Sequence, residues 1–493
     1  MAKKTELKVP DDLAQCQQML VQMFDQMQQM QGQLDSLLRA KFGSKSETVL
    51  SGQLRLFSEI ESEQTEDREE EVLSKPVTTS GHGRKKAAKE LPRRKVIHEI
   101  PKEERACKGC AQELSVISEE VSEQYDYSPA SIEVIEHVRV KYACKSCGEN
   151  VQIAKKPSKP IERGSASAGM LAYVATCKFA DHLPLHRLEG IFKREGANIA
   201  RSTMCDWLAG TAVLLRPLYE RMKQRVLQSR IIWTDDTPVK MQDRSHENNI
   251  RQGRVWVYLG DKANPFSVFD FTDSRKRDGP KVFLDKFEGY LQADAFAGYD
   301  CIFAVGKVQE VACWAHARRK FFESLNSQAK PASEALRMIQ ELYSIEKLAA
   351  AETDELRCKL RAEKSAPLLQ QIKHWLDGQK LTALPKSPLG KAVSYTLNNW
   401  SAHCIYVNDG ELKIDNNRSE RALRAIAVGR KNWMFCGSLE GGKTAAVLST
   451  FISTCKQHSL NPVDYLRDVL ERLSSGTCSD IDELLPGNWR PGS

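Results

Sequence analysis

IIWTDDTPVK (residues 231–240) reads as a β-strand that carries a pair of aspartates. Alternation puts Ile231, Trp233 and Asp235 on one face and Ile232, Thr234 and Asp236 on the other, so a site on one face receives only one of the two. A second short β-patterned run, GYLQADAFAGYD (289–300), delivers Asp294. The third stretch, IDNNRSERALRAIAVGRK (414–431), is helical and arginine-rich, with Asp415 and Asn416 as N-caps before it. On that helix Asn416, Glu420 and Arg424 recur every four residues and share a face, with Asn416 and Arg424 expected at a substrate backbone.

Two aspartates on strands and then an acid on a later helix is the order that an RNase H-like nuclease core needs. Three carboxylates so arranged hold two Mg²⁺ (or Mn²⁺) ions about 3.5–4 Å apart and drive in-line displacement at a DNA phosphate. The favoured catalytic and metal-binding set is Asp235, Asp294 and Glu420. Taken singly, each acid is more simply a surface carboxylate. The surrounding pattern agrees with an α+β core. Strand runs fall at 229–240, 253–260, 266–272, 289–294 and 308–313, after helical segments that extend to about 227. A helical region occupies about 316–380, and the chain is helical again to about 473 before a polar tail. The stretch between Asp294 and Glu420 exceeds what such a core needs, so a helical insertion is expected within about 315–410.

The chain has 493 residues, enough for about three domains. Hydrophobic residues make up 41%, and no run approaches the roughly 18 apolar residues of a membrane span. MAKKTELKVPDDLAQ at the N-terminus has no apolar signal-peptide core, so a cytoplasmic location is expected. Net charge is +7, mild for this length.

Of 14 cysteines, four are paired by spacing and the rest are scattered, which reads as reduced thiols. Cys107, Cys110, Cys144 and Cys147 form two CxxC knuckles with a glycine in or just after each. Four thiolates in this pattern suit one structural, tetrahedral Zn²⁺. Chance pairing is the alternative; a redox motif needs only one pair. Residues 96–153 are β-like, most clearly in SIEVIEHVRVKYAC (131–144), and KKPSKP (155–160) breaks the pattern.

Upstream, residues 13–37 carry a heptad. Its a positions are Leu13, Leu20, Met27 and Leu34, and its d positions Cys16, Met23, Met30 and Leu37. This argues for self-association through a coiled coil; the alternative is a helix on the protein's own core. An acidic block (59–71) and a basic block (84–95) follow in a linker. LPLHRLEGIFKREGANIARSTMCDWL (183–208) reads as helix, turn at Gly196, helix. Arg201, Ser202 and Thr203 there reach phosphates or base edges if the pair is a helix-turn-helix, or pack as core helices if not. Cys313-Trp-Ala-His316 lies between the second aspartate and the glutamate, for packing or for a second zinc. Arg318, Arg319 and Lys320 after it suit DNA backbone or a solvated face.

TDDT, LQADAFAGYD, CWAHARRKFF, DNNRSERALR and WMFCGS resemble the motifs of insertion-sequence-66 family transposases. The heptad, LLRAKFGSKSE (37–47), the CxxC pairs and TCKQHSLNPVDYLRDVLERL (454–473) fall in that family's order. The resemblance implies a bacterial, nucleoid-associated DDE transposase. Its partners would be double-stranded DNA at element ends and target, and small accessory proteins of the same element. It places the family's acids on Asp235, Asp294 and Glu420, with Asp236 where the family usually has glutamate. Arg421 of the arginine-rich helix is a further candidate DNA contact. The implied architecture is multidomain α+β: coiled-coil segment 1–48, charged linker 49–95, zinc-ribbon-like domain 96–158, helix-turn-helix-like region 160–227, RNase H-like catalytic domain 228–447 and C-terminal segment 448–493. The rivals are a non-catalytic DNA-binding regulator, a stand-alone nuclease and a decayed copy.

Overall fold

The computed structural model describes residues 27, 132–138, 141–142, 152–153, 157–162, 164–246, 248–478 and 480–491. The chain divides into two compact units, Ser44–Val134 and the remainder (Met1–Gly43 with Ile135–Ser493); the elements below all belong to the second. The heptad apart from Met27, the linker and the cysteine quartet lie outside the described residues.

Part of the expected β region is not strand. Residues 132–138 run without strand pairing, and Val134 and Val138 are exposed. Among the described residues of this region, Lys141–Tyr142 pairs with Gln152–Ile153. An alternating pattern makes a strand where one face finds an apolar surface, and among the described residues these valines meet none.

The main sheet is preceded, among the described residues from 164 on, by α1 (Ala168–Phe179), α2 (Leu185–Arg194) and α3 (Arg201–Leu227). Leu188 and Phe192 of α2 and Met204 and Trp207 of α3 are buried between them. Gly196, at φ +87°, turns the chain between α2 and α3, a conformation that costs glycine little. The second helix of this pair is 27 residues long.

The sheet is built on β1 (Ile231–Gln242), rich in β-branched and aromatic residues. It pairs antiparallel with β2 (Ile250–Leu259), and β2 pairs antiparallel with β3 (Ser267–Thr272). On its other side β1 runs parallel to β4 (Gly289–Ala293), which runs parallel to β5 (Val308–Ala312). The strand order is 3-2-1-4-5. A short β6 (Phe435–Cys436) pairs parallel with the far end of β1. A short helix α4 (Asp278–Leu284) joins β3 to β4.

From Trp314 to Asn408 the chain is helical with short breaks: α5 (Trp314–Ser324), α6 (Ala329–Ala349), α7 (Asp354–Leu360), α8 (Ala366–Thr382) and α9 (Pro388–Asn398). A π-helical turn, Arg361–Ser365, runs α7 into α8 without a break. The helix α10 (Asn417–Trp433) then returns to the sheet. Ile231, Trp233 and Val239 of β1 share one apolar core with Trp314 and Phe321 of α5 and with Leu423 and Ile426 of α10. The insertion is thus packed onto the face of the sheet that carries Asp235.

The edge strand β3 is covered by α11 (Leu439–Gln457). Phe269 N donates to Thr450 Oγ1 at 2.9 Å and Ser267 N to Thr454 Oγ1 at 3.2 Å, while the Tyr219 hydroxyl from α3 donates to Phe269 O. Side chains thereby satisfy an edge that would otherwise be free to pair with another chain. The expected polar tail is not a tail. After α12 (Pro462–Ser475) the chain folds back: Leu484, Leu485 and Trp489 are buried, and Asp482 binds Arg221 and Arg225 of α3. No helix of the described residues is long and apolar enough to cross a membrane.

Candidate active site

Asp235 lies within β1 and Asp294 one residue beyond the end of β4, its parallel neighbour. One carboxylate oxygen each from Asp235, Asp236 and Asp294 lie within 4.8 Å of one another, the one such group of potential metal ligands among the described residues. The expectation that only one member of the Asp235–Asp236 pair would reach the site is therefore corrected. Asp294 sits past a strand end, where both faces of β1 are within reach.

The two neighbours nevertheless differ. Asp236 is almost fully enclosed and bound by two guanidinium groups, Arg254 Nη1 at 2.9 Å and Arg275 Nε at 2.8 Å. Burial raises its pKa, and both arginines oppose that rise. Among the described residues Asp235 has no such cation bound to it. Its Oδ1 accepts only the Asp236 backbone N–H, at 2.7 Å, among the hydrogen bonds resolved. Burial first, then the charges of Asp294, Asp236 and Glu420, push its carboxyl up to about 8. A buried carboxylate surrounded by like charge and lacking a counter-ion is one that a cation would relieve.

Arg275 also reaches Asp294, 3.1 Å from its Oδ2, and lies over the Phe296 ring. Neither Arg254 nor Arg275 was expected from sequence. Arg254 had a signal: in the β1–β2 register it stands diagonal to Asp236 on the same face. Arg275, in a basic loop, had none.

Glu420 occupies the first turn of α10, where the helix dipole favours an acid. It stands outside the 4.8 Å group and faces two bases of α5: His316 Nε2 at 3.7 Å and Arg319 Nη2 at 3.8 Å. The Nδ1 atom of His316 is buried with no partner. Cys313 is fully buried, and its thiol, raised to about 12 mainly by burial, accepts the Asn416 N–H at 3.2 Å. It works as a packed hydrogen-bond acceptor that ties α5 to the start of α10.

The segment before α10 is held from several sides. Gln292 of β4 donates to the carbonyls of Lys413 and Asp415, and Trp314 N donates to Ile414 O. Asn416, expected at a substrate backbone, is instead fully buried. Its amide donates to Thr234 O at 2.8 Å and its oxygen accepts from Ser419 at 2.8 Å. It anchors α10 to β1 and does not share the exposed face of Arg424. Asn416→Ala should lower the free energy of unfolding by about 1–3 kcal/mol, the cost of stranding a buried partner. Urea titration of the variant against the parent checks this.

Among the other residues expected to meet DNA, Arg201 and Ser202 are exposed at the start of α3, with Arg201 3.7 Å from Glu189, and Thr203 is half-buried. Lys320 lies over the Tyr395 ring. Arg421 and Arg424 are exposed on α10, and Arg318 is half-buried.

Comparison with known proteins bears on the whole chain. Residues 163–444 match a family described as Transposase IS66 family. Residues 104–148, which span all four paired cysteines, match a zinc-finger binding domain of transposase IS66. Residues 450–486 match the IS66 C-terminal element, and residues 29–96 match a region described as Transposase C of IS166 homeodomain. Similar proteins occur in Sinorhizobium fredii. The uncharacterized protein y4jD is 34% identical over 417 residues, 82% of this chain and 81% of its own. The uncharacterized protein y4hP is 31% identical over 494 residues, 93% and 88% of the two chains.

Proposed function

The chain belongs to the IS66 transposase family, and from that premise we propose that it cuts DNA at the ends of its own insertion sequence and joins them to a target. The observation that carries this reading is the acidic group at β1 and β4, with Glu420 close enough to raise Asp235. The strand order 3-2-1-4-5, three strands antiparallel and two parallel, supports an RNase H-like core.

An all-oxygen donor set with one unrelieved buried carboxylate fits Mg²⁺ or Mn²⁺. Asp235, Asp294 and Glu420 would hold two such ions, which when bound supply Lewis-acid charge and lower the pKa of the attacking hydroxyl. Asp235, whose carboxyl both Asp294 and Glu420 raise, would be the acid shared by the set. Asp236 is held by Arg254 and Arg275 and keeps those arginines beside the phosphate. Glu420, now beside His316 and Arg319, would complete the set by turning from them, and Arg319 would then meet a phosphate oxygen. Cys107, Cys110, Cys144 and Cys147, in the segment that matches a zinc finger, would hold one structural Zn²⁺. The double-stranded DNA contacts fall on Arg201, Ser202, Thr203, Arg318, Arg319, Lys320, Arg421 and Arg424. The N-terminal heptads pair protomers so that both ends meet.

The test is strand cleavage and joining on DNA carrying the gene's own flanks, with Mg²⁺ or Mn²⁺, for the parent and Glu420→Gln. Metal-dependent cutting and joining that the variant lacks is the expected result. Specific binding with no cutting by either protein would favour a DNA-binding regulator, or the lack of an accessory protein of the same element.

A further inference from the structure

The outer face of α10 begins at the candidate active site and ends on a cluster that strand cleavage does not use. Arg424, Val428 and Lys431 are exposed along it at helical spacing, so they form one stripe. From Arg421 to Phe435 the sequence holds no acid. At the end of the stripe Met434 and Phe435 stand 64% and 42% exposed. Lys240, also exposed, pairs in register with Phe435. Met434 has φ 60° and ψ −40°, a backbone conformation that a long side chain rarely adopts. Strain of this kind persists where a function uses it.

Two large apolar side chains held in water on a strained backbone, flanked by cations and continuous with the acidic site, call for a partner that is anionic outside and apolar within. A DNA duplex is such a partner: phosphates lie along the basic stripe, and Met and Phe are side chains that wedge between bases. We infer that α10 tracks the substrate duplex away from the scissile phosphate, and that Met434 and Phe435 enter and unstack a base step. This rests on the reading of the chain as a DNA-cutting enzyme. At about 1.5 Å per residue, Met434 stands about 21 Å beyond Glu420 along the helix. That is about six base pairs at 3.4 Å each.

The experiment places 2-aminopurine singly at each position from two to ten on either side of the cut, and reads its fluorescence on binding by the full-length protein with Ca²⁺. Unstacking brightens the probe. A severalfold rise centred about six positions from the cut is expected, lost in the Met434→Ser, Phe435→Ser double variant and kept in Phe435→Trp. Met434→Gly guards against misfolding: it relieves the backbone, so its melting temperature should rise while the brightening falls. Metal-dependent cutting by the parent with a flat fluorescence profile, or a profile unchanged in the variants, overturns the wedge and leaves the transposase reading standing. Absence of any metal-dependent cutting overturns that reading, and the wedge with it. A change in the sedimentation of the DNA-free variants would make the apolar pair a contact between protein copies, and would also overturn the wedge.

Discussion

Asp235→Asn should all but remove the proposed nicking and joining, and in the absence of divalent metal it should melt at a higher temperature than the parent. Both effects follow from one carboxylate. In the folded chain burial and three neighbouring acids raise Asp235 to about 8, whereas an unfolded aspartate titrates near ~3.9. A raised acid stabilises the fold fully below the unfolded value, and that contribution is lost as pH rises through the folded value. Metal-free parent protein should therefore lose stability from about pH 4 to about pH 8 and level off above, by up to several kcal/mol. The asparagine variant carries no buried charge at this position, so its profile should be flatter and should lie above the parent's at pH 8. Millimolar Mg²⁺ should raise the parent's melting temperature, as ligands of the folded state do, and leave the variant nearly unchanged. Activity should fall by at least about a hundred- to a thousandfold, the usual cost of losing a group that organises charge at the reacting centre. Thermal melts between pH 5 and 8.5, with chelator and with Mg²⁺, check the first part and a nicking assay the second. A metal-free variant less stable than the parent at pH 8 would contradict the account.

Arg361→Met should be the most destabilising single change in the helical insertion. The guanidinium is fully buried in the π-turn between α7 and α8. It forms a fork with Glu346, at 2.8 and 2.6 Å, and donates to the carbonyls of Tyr406, Asp409 and Leu412. Arg357, one turn earlier, donates to Gly410 O at 2.6 Å. The chain approaches closely here: a Cβ on Gly410 would lie 1.9 Å from Asp354 O. Together the two arginines fix the loop that leads to Asn416 and Glu420. Methionine fills the volume but strands a buried carboxylate and three carbonyls, at about 3–5 kcal/mol. Arg361→Lys keeps the charge without the planar fork and should recover only part of that loss. Urea midpoints of the three proteins order the effects; a methionine variant within about 1 kcal/mol of the parent would show that the loop is held by packing alone.

The sheet was legible because its strands are short apolar runs bounded by turns, and β1 to β5 fall within about three residues of the sequence reading. The helices of the insertion were legible from apolar periodicity. The patterns misread were those whose outcome depends on a distant partner. IEVIEH (132–137) alternates as a strand does, but pairing needs a surface, and Val134 and Val138 meet none among the described residues. Leu484, Leu485 and Trp489 are too few to signal an element, yet they bury because α12 and α3 offer a groove. At the site, sequence placed Asp235, Asp294 and Glu420 on two strands and a helix. It did not show that Asp236 also reaches Asp294, that Arg275 bridges them, or that Asn416 turns inward. Period-two alternation says which face a residue takes, not which charges meet it there.

The competition between Asp236 and Glu420 for the metal site is the point on which the proposed mechanism rests, and manganese anomalous scattering from crystals of the full chain with a DNA end resolves it. Two manganese positions held by Asp235, Asp294 and Glu420, with Asp236 still bound to Arg254, are the predicted result. Manganese held by Asp236 and Asp294 while Glu420 remains against His316 and Arg319, or no manganese at these acids at all, would contradict it.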